Sequence, residues 1–242
     1  MNRLQVSGIS GNRNSIRALA VTCLFSFLFA GQAAAETGDH QALYLDAIDR
    51  VTAGGSIIAT EMTRIARGEV SHYDFLQYEH SELLRHARAL RHPPARLAGQ
   101  QRAEVIARAE SLIEVADSLE LVIADFLRSQ ALQQSAVNNT RDLVAGLARL
   151  DQSAEQLDRL QQLDVLVSTV QGDSPPEALT ALNAAYSAVL EYEPDPQQKA
   201  EFTFQNRLIQ DNANGLEIAM QRLAGSGLKE QADSFQEYFS KL

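Results

Sequence analysis

The chain has 242 residues, with 21 lysine and arginine side chains against 31 aspartate and glutamate side chains, which gives a formal net charge of −10. An acidic surface repels phosphate backbones and anionic lipid headgroups, so this composition argues against nucleic-acid-binding and membrane-surface proteins. Good helix formers dominate the chain, and no β-branched run alternates with period two, so we predict an all-α fold.

The first 35 residues have the three parts of a cleavable secretory signal peptide. Positive charge comes first, with no acid before Glu36, and is supplied by Arg3, Arg13 and Arg17. A mostly apolar run of 13 residues at positions 18–30 follows, too short to anchor a helix across a bilayer. Small residues at 33–35 then provide a cleavage site. We therefore predict export to the periplasm without a membrane anchor after cleavage, with secretion and an uncleaved anchor helix as the alternatives.

Cleavage also changes the chemistry of the chain, because Cys23 lies inside the apolar run and leaves with the signal. The remaining 207 residues, positions 36–242, lose only three arginines and keep 18 basic against 31 acidic side chains, a net charge of −13. Without cysteine, disulfides, thiolate metal sites and covalently attached haem are excluded. A chain of this length has room for one sizeable core or two small ones.

Two antiparallel helices are predicted first. The first runs from about Asp39 to Arg67 with an apolar stripe at helical spacing, is interrupted at Gly54-Gly55, and ends at Gly68. The second begins at Ser71 and stops before Pro93-Pro94. Because the connection is short, the helices should be antiparallel, with the glycine pair either in close contact with the second helix or beside a ligand.

The stretch from Gln100 to Gln171 contains no proline and one glycine, Gly146. As a straight helix it would span about 108 Å, whereas a compact domain of this size has a radius of gyration of roughly 17 Å. Its apolar stripe changes phase across a polar segment between Gln130 and Asn139. We therefore predict that the chain folds back at a turn near residues 135–140.

Proline and glycine residues mark three further breaks. A new helix follows residues 172–176, and another follows residues 193–196 and runs to about Leu223. Residues 225–227 form a flexible joint before a short last helix, Leu228 to Leu242.

These elements predict an antiparallel helical bundle with coiled-coil-like packing. Residues 36–171 are expected to form a four-helix unit. Residues 172–242 are expected to form a smaller C-terminal helical segment, which either has its own core or packs on the same core.

A cluster of acidic and histidine side chains is the candidate metal site. At 100° per residue, Glu79, Glu82 and His86 fall on the apolar face of the second helix, where an unpaired carboxylate is costly. Carboxylate and imidazole groups suit zinc, iron, manganese or copper(II), and a thioether suits copper(I). Further ligands in reserve are Glu61, Met62 and His80. The alternative is a structural Glu82–His86 pair one helical turn apart, with Glu79 extending to water.

Residues Met62 to Pro94 resemble the first hairpin of the cytochrome c-prime family. The likeness is carried, in similar order, by Met62, Ile65, Gly68, Asp74, Phe75, Leu90, Pro93 and Pro94. Members of that family are exported four-helix bundles that attach haem through a C-x-x-C-H motif on the last helix, and the processed chain lacks this motif. The resemblance therefore implies an exported helical bundle, and non-covalent haem remains an alternative to a metal ion.

Function is predicted from what remains. No catalytic motif stands out, so we do not predict an enzyme, and we expect an exported binding or accessory protein for a periplasmic protein partner or a small ligand. The last helix is the candidate docking element, through Phe235, Tyr238, Phe239 and Leu242. The alternative function is metal or haem binding by the first hairpin.

Overall fold

A computed structural model describes residues 39–70, 73–150, 152–170, 172, 174–192 and 195–242. These residues contain seven helices and no strand, which confirms the all-α prediction: α1 Asp39–Ala66, α2 Asp74–Ala89, α3 Gly99–Leu147, α4 Ala154–Thr169, α5 Pro176–Leu190, α6 Pro196–Ala224 and α7 Leu228–Ser240. The signal segment at 1–35 lies outside the described residues. None of the helices just named combines the length and apolar character that crossing a bilayer requires.

The helix boundaries follow local chemistry. α1 ends before Gly68, which has a φ of 67°, a left-handed conformation that glycine adopts without strain. α4 and α6 begin at Ser153 and Asp195, whose side chains accept hydrogen bonds from first-turn N–H groups. α5 begins with Pro176, whose fixed φ suits the first helical position.

α3 is one continuous helix of 49 residues, about 73 Å long. The turn expected near residues 135–140 is therefore wrong, because every one of these positions is helical. α6 runs antiparallel to α3, since Asp125 pairs with Arg222 at 3.1 Å and, further along α3, Ser129 lies against Gly215. The chain folds back after the end of α3, where α4 begins.

Residues Leu43–Leu242 form one compact unit with two apolar cores, one along each half of α3. The first core joins α1, α2, the first half of α3, the end of α6 and α7. Its buried side chains include Ile58, Met62, Leu76, Leu112, Phe126 and Phe235. The Tyr44 hydroxyl on α1 donates to the Leu90 carbonyl oxygen at 2.9 Å, which ties α1 to the end of α2.

The second core joins the second half of α3 with α4, α5 and the start of α6. Its buried side chains include Ala136, Leu163, Val167, Leu182, Tyr186, Phe202 and Ile209. The Tyr186 ring meets Phe202 edge-on, with ring centroids 6.1 Å apart. Residues 172–242 thus contribute helices to both cores, so residue 171 does not divide one core from the other.

Polar side chains are buried between the two cores, where α3 and α6 pack together: Gln130, Gln133 and Asn212. The Gly172 N–H donates to the Ala66 carbonyl oxygen at 2.8 Å, so the connection between α4 and α5 meets the end of α1 at the same level. This buried polar layer explains the change of apolar phase in the sequence. It separates two cores along one helix and does not mark a turn.

Substitutions at two helical glycines should change the free energy of unfolding in opposite directions. A Cβ at Gly54 would lie 2.9 Å from Leu83 Cδ1 in the first core, so Gly54→Val should lower the free energy of unfolding by about 1–3 kcal/mol. A Cβ at Gly146 would meet no described atom within 4 Å, so Gly146→Ala should raise it by roughly 0.5–1 kcal/mol. Urea unfolding followed by circular dichroism measures both changes. Equal shifts in the two variants would contradict the close contact between α1 and α2.

Stability should also fall in strong alkali, because burial raises the pKa of Tyr186 to about 12. An unfolded tyrosine titrates near pH 10, so the stabilisation from the neutral buried phenol is complete below about pH 10 and is lost as the pH approaches 12. Tyr186→Phe removes the hydrogen bond to Thr140, which should cost about 1 kcal/mol at neutral pH. It also removes this source of alkaline instability. The difference in free energy of unfolding between the wild-type protein and the Tyr186→Phe variant should therefore narrow between pH 8 and pH 11. An unchanged difference would contradict a raised pKa for Tyr186.

Candidate functional site

The buried face of α2 is rotated from the one that the sequence predicted. Glu79 and His86 were expected near its centre, but the buried residues are Leu76, His80, Leu83 and Ala87. The centre has moved by about 80° around the helix. The His80 ring makes this possible, because its Nε2 atom lies 2.9 Å from the Ala116 carbonyl oxygen on α3 and donates to it. Phe75, expected on the apolar face, is 46% exposed instead.

Glu82 and His86 are neighbours, but both accept hydrogen bonds from Arg85. Arg85 donates to the two Glu82 carboxylate oxygens at 3.0 and 2.6 Å, and this hydrogen bonding lowers the pKa of Glu82. The Arg85 Nη2 atom is 2.7 Å from His86 Nε2, which must accept because a guanidinium only donates. Burial, with Arg85 adding to it, lowers the pKa of His86. The Glu82–His86 distance of 3.7 Å is longer than either bond from Arg85 to Glu82.

The other predicted ligands lie apart from this pair. Met62 is fully buried in the first core, and Glu61 is buried in an ion pair with Arg64 at 3.0 Å. Glu79 is half-buried on α2. Across the described ranges, no three histidine, cysteine, aspartate or glutamate side chains are grouped so as to hold a metal ion. His72 lies outside those ranges.

The four predicted docking residues, three on α7 and Leu242 just after it, mostly face the chain's own first core. Phe235 and Phe239 are 1% and 3% exposed, and the Phe239 ring centroid lies 4.8 Å from that of Tyr44. Tyr238 is half-buried beneath the Arg108 guanidinium, 4.3 Å from the ring centroid. Leu242 is half-buried and packs against the same core. In this structure α7 packs against the first core, and its two phenylalanines are not accessible to a partner.

A cavity of about 300 Å³ opens at the far end of the second core, where α3 and α5 end and α4 and α6 begin. Its apolar wall consists of Leu147, Leu150, Leu160 and Val189. Its polar rim consists of Gln152, Gln156, Arg159, Tyr192, Asp195 and Gln198. Small-molecule sites are usually lined mainly by apolar side chains, whereas the polar residues outnumber the apolar ones here, and 300 Å³ is at the small end of the usual range.

Each charged group at this cavity already has a partner within the chain. Arg159 lies 3.2 Å from Glu155 and 3.8 Å from Glu191, and its guanidinium sits over the Tyr192 ring, 5.1 Å from the centroid. Hydrogen bonds from Tyr192 and Arg159 lower the pKa of Glu155. The Asp195 carboxylate accepts from two backbone N–H groups at the start of α6. Carboxylates outnumber the arginine here, so the rim is acidic, but each carboxylate already accepts from a guanidinium or from backbone N–H groups.

Two glutamines give the rim its hydrogen-bonding character. Gln156 Oε1 accepts from the Ser153 N–H at 2.8 Å, and Gln198 Oε1 accepts from the Asp195 N–H at 3.3 Å. These bonds fix the orientation of both amides, because only the oxygen can accept. The amide nitrogens remain as donors on the cavity rim.

The sequence contains one local signal for this cavity. The Ser-x-x-Gln and Asp-x-x-Gln spacings at 153–156 and 195–198 both match the capping box, which marks helix starts and fixes its glutamine. The starts of α4 and α6 lie close together because of the tertiary fold, which no local sequence pattern indicates. Comparison with protein-family models, with curated proteins and with solved structures yields no match to this chain.

Proposed function

We propose that this protein is an exported binding protein that takes up a small, uncharged, partly apolar molecule in the cavity at the end of the second core. The observation that carries the proposal is the pairing of four aliphatic side chains with a polar rim whose charged groups already have partners within the chain. The function needs no catalytic group. It also accounts for the two capping glutamines, whose amide nitrogens can donate to a carbonyl, ether or hydroxyl oxygen of the ligand.

The charge balance selects the ligand class. An anion would meet the acidic groups around Arg159, in a chain whose exported part carries a net charge of −13. A cation would have to displace Arg159 from the Tyr192 ring and from two carboxylates. An uncharged molecule avoids both costs, and its apolar part can cover the exposed part of Leu150.

A neutral fluorescent probe with a ketone oxygen, 6-propionyl-2-(dimethylamino)naphthalene, tests the site directly. The wild-type protein should enhance its fluorescence saturably. Gln152→Trp adds a large ring at the rim, outside any helix, and should weaken binding about tenfold or more. Gln101→Trp is the matched control, because this exposed residue lies at the opposite end of α3. Absence of saturable binding, or equal loss in both variants, would rule out the cavity as the binding site.

Export is tested separately. The arginine-rich start, the short apolar run and the small residues at 33–35 support cleavage before Glu36. We expect the intact mass of the protein from a periplasmic fraction to correspond to residues 36–242. A product that begins at Met1 and stays in the cytoplasm would contradict export and would leave the cavity proposal standing.

A further inference from the structure

The two apolar cores differ in size, and among the residues that the structure describes they share no buried apolar side chain. The first core has more than twice as many buried apolar side chains as the second. Since the free energy gained on folding grows with the apolar area removed from water, the second core is held together less strongly. Among the described helices, α4 and α5 pack on each other, on α3 and on α6, and on neither α2 nor α7. The second core is therefore the less stable of the two, and two of its four helices lie outside the first.

The buried polar layer lies at the boundary between the cores and joins them weakly. Gln130 and Gln133 are 6% and 3% exposed, and in the described part of the chain Gln130 Oε1 and Gln133 Nε2 have no hydrogen-bond partner. A buried polar atom without a partner destabilises the closed structure, because water can bond to that atom once the layer opens. The Asn212 amide nitrogen donates to the Leu208 carbonyl oxygen at 2.6 Å, a bond within α6 that does not reach α3.

Open space borders the second core on several sides. Besides the cavity at its far end, a groove of about 890 Å³ runs between α3 and α4, and a smaller one of about 370 Å³ lies between α3 and α6. Two buried residues of the second core, Val144 and Leu160, line the larger groove, and a third, Leu147, lines the smaller one. A side chain that faces open space lacks van der Waals partners on that side. Packing across the α3–α4 seam therefore adds little to the stability of the second core.

We propose that the second core opens as one unit while the first core stays folded, with the polar layer as the boundary. The opening unit comprises α4, α5, the part of α3 after Gln133 and the part of α6 before Asn212. The remaining parts of α3 and α6 stay helical, because they pack in the first core. The bond from the Gly172 N–H to the Ala66 carbonyl oxygen breaks in this opening. Such a sub-global opening costs less free energy than unfolding the whole chain.

Native-state hydrogen exchange of the purified protein, followed by mass spectrometry of its peptides, tests the opening. The amides of α4 and α5 should exchange together, at least about a hundredfold faster than the slowest amides of α2 and of the first half of α3. Equal protection of the two cores would overturn the proposal, and so would separate exchange of α4 and α5. Because no ligand is added, the outcome does not depend on the proposed function.

The same mild substitution in each core distinguishes this opening from global unfolding. Ile58 in the first core and Ile209 in the second are both 0% exposed. Ile209→Val should speed exchange about fivefold in both cores, because this packing is lost in the opening and in global unfolding alike. Ile58→Val should speed exchange in the first core only, since Ile58 stays packed when the second core opens. If Ile58→Val speeds exchange in α4 and α5 by the same factor, the chain opens as a single unit and the proposal fails.

A substitution in the polar layer tests its part in the opening. Gln133→Met replaces the amide that lacks a partner with an apolar side chain of similar length, so exchange in α4 and α5 should slow about tenfold. Gln134→Met is the matched control, because this neighbouring residue of α3 is exposed, and it should change the exchange rates less than about twofold. Unchanged or faster exchange in α4 and α5 of the Gln133→Met variant would overturn the polar layer as the boundary of the opening unit.

Discussion

Replacing Phe235 with alanine is expected to lower the free energy of unfolding by about 3–5 kcal/mol, the usual cost of removing a buried aromatic ring. The side chain is 1% exposed and packs in the first core, with its ring centroid 6.5 Å from that of Tyr44. The cavity left behind would adjoin the first half of α3, which α7 covers. Urea unfolding of the purified protein, followed by circular dichroism at 222 nm, measures the loss.

Phe75→Ala is the matched control, because this phenylalanine is also helical but is 46% exposed. Its removal should change the free energy of unfolding by no more than about 0.5 kcal/mol, as surface substitutions usually do. If Phe235→Ala were as mild as Phe75→Ala, α7 would not be part of the core. The last helix would then regain the role of a docking element, which its sequence first suggested.

The α7 example shows what the sequence determines and what it leaves open. Periodicity correctly indicates that Phe235 and Phe239 share a buried face. It does not indicate what covers that face, because a partner protein and the chain's own α1 impose the same pattern. The contact with Tyr44 joins residues almost 200 positions apart, and no local signal records such a distant pairing.

Helix boundaries marked by glycine or proline were the most predictable feature, because local chemistry sets them. The breaks at Gly68, at Pro93-Pro94 and at residues 225–227 all lie between helices in the structure. Glycine and proline restrict the backbone wherever they occur, so these signals do not depend on the tertiary fold. The buried face of α2 was harder to predict, because His80 is buried only by donating to a carbonyl oxygen of α3.

In the candidate site, too, some features follow from local sequence and others depend on the tertiary fold. The sequence brought Glu82 and His86 together correctly, since residues one turn apart on a helix are neighbours. The sequence did not indicate that Arg85 would donate hydrogen bonds to both side chains. The cavity was missed because four helix ends form it, and its apolar wall is assembled from residues 147 to 189. Only the capping glutamines leave a local signature there.

Replacing Ser135 with proline is expected to cost at least about 3 kcal/mol, since Ser135 lies well inside α3. Proline at this position removes the backbone hydrogen bond to the carbonyl of residue 131 and clashes with that carbonyl. The Ser135 side chain is exposed, so the loss would come from the backbone and not from the core. Thermal and urea unfolding of the variant measure it.

The comparison with Ser135→Ala separates a continuous helix from a turn. Alanine is the better helix former, so in α3 this variant should be slightly more stable than wild type, by about 0.5 kcal/mol or less. In a turn near 135–140 the order would differ, because proline is tolerated in turns and alanine brings no gain there. A proline variant as stable as the alanine variant would therefore restore the fold-back that the sequence suggested. A large difference in stability between the two variants means that α3 is one helix that runs along both cores. Buried glutamines, and not a turn, then lie at the change of apolar phase.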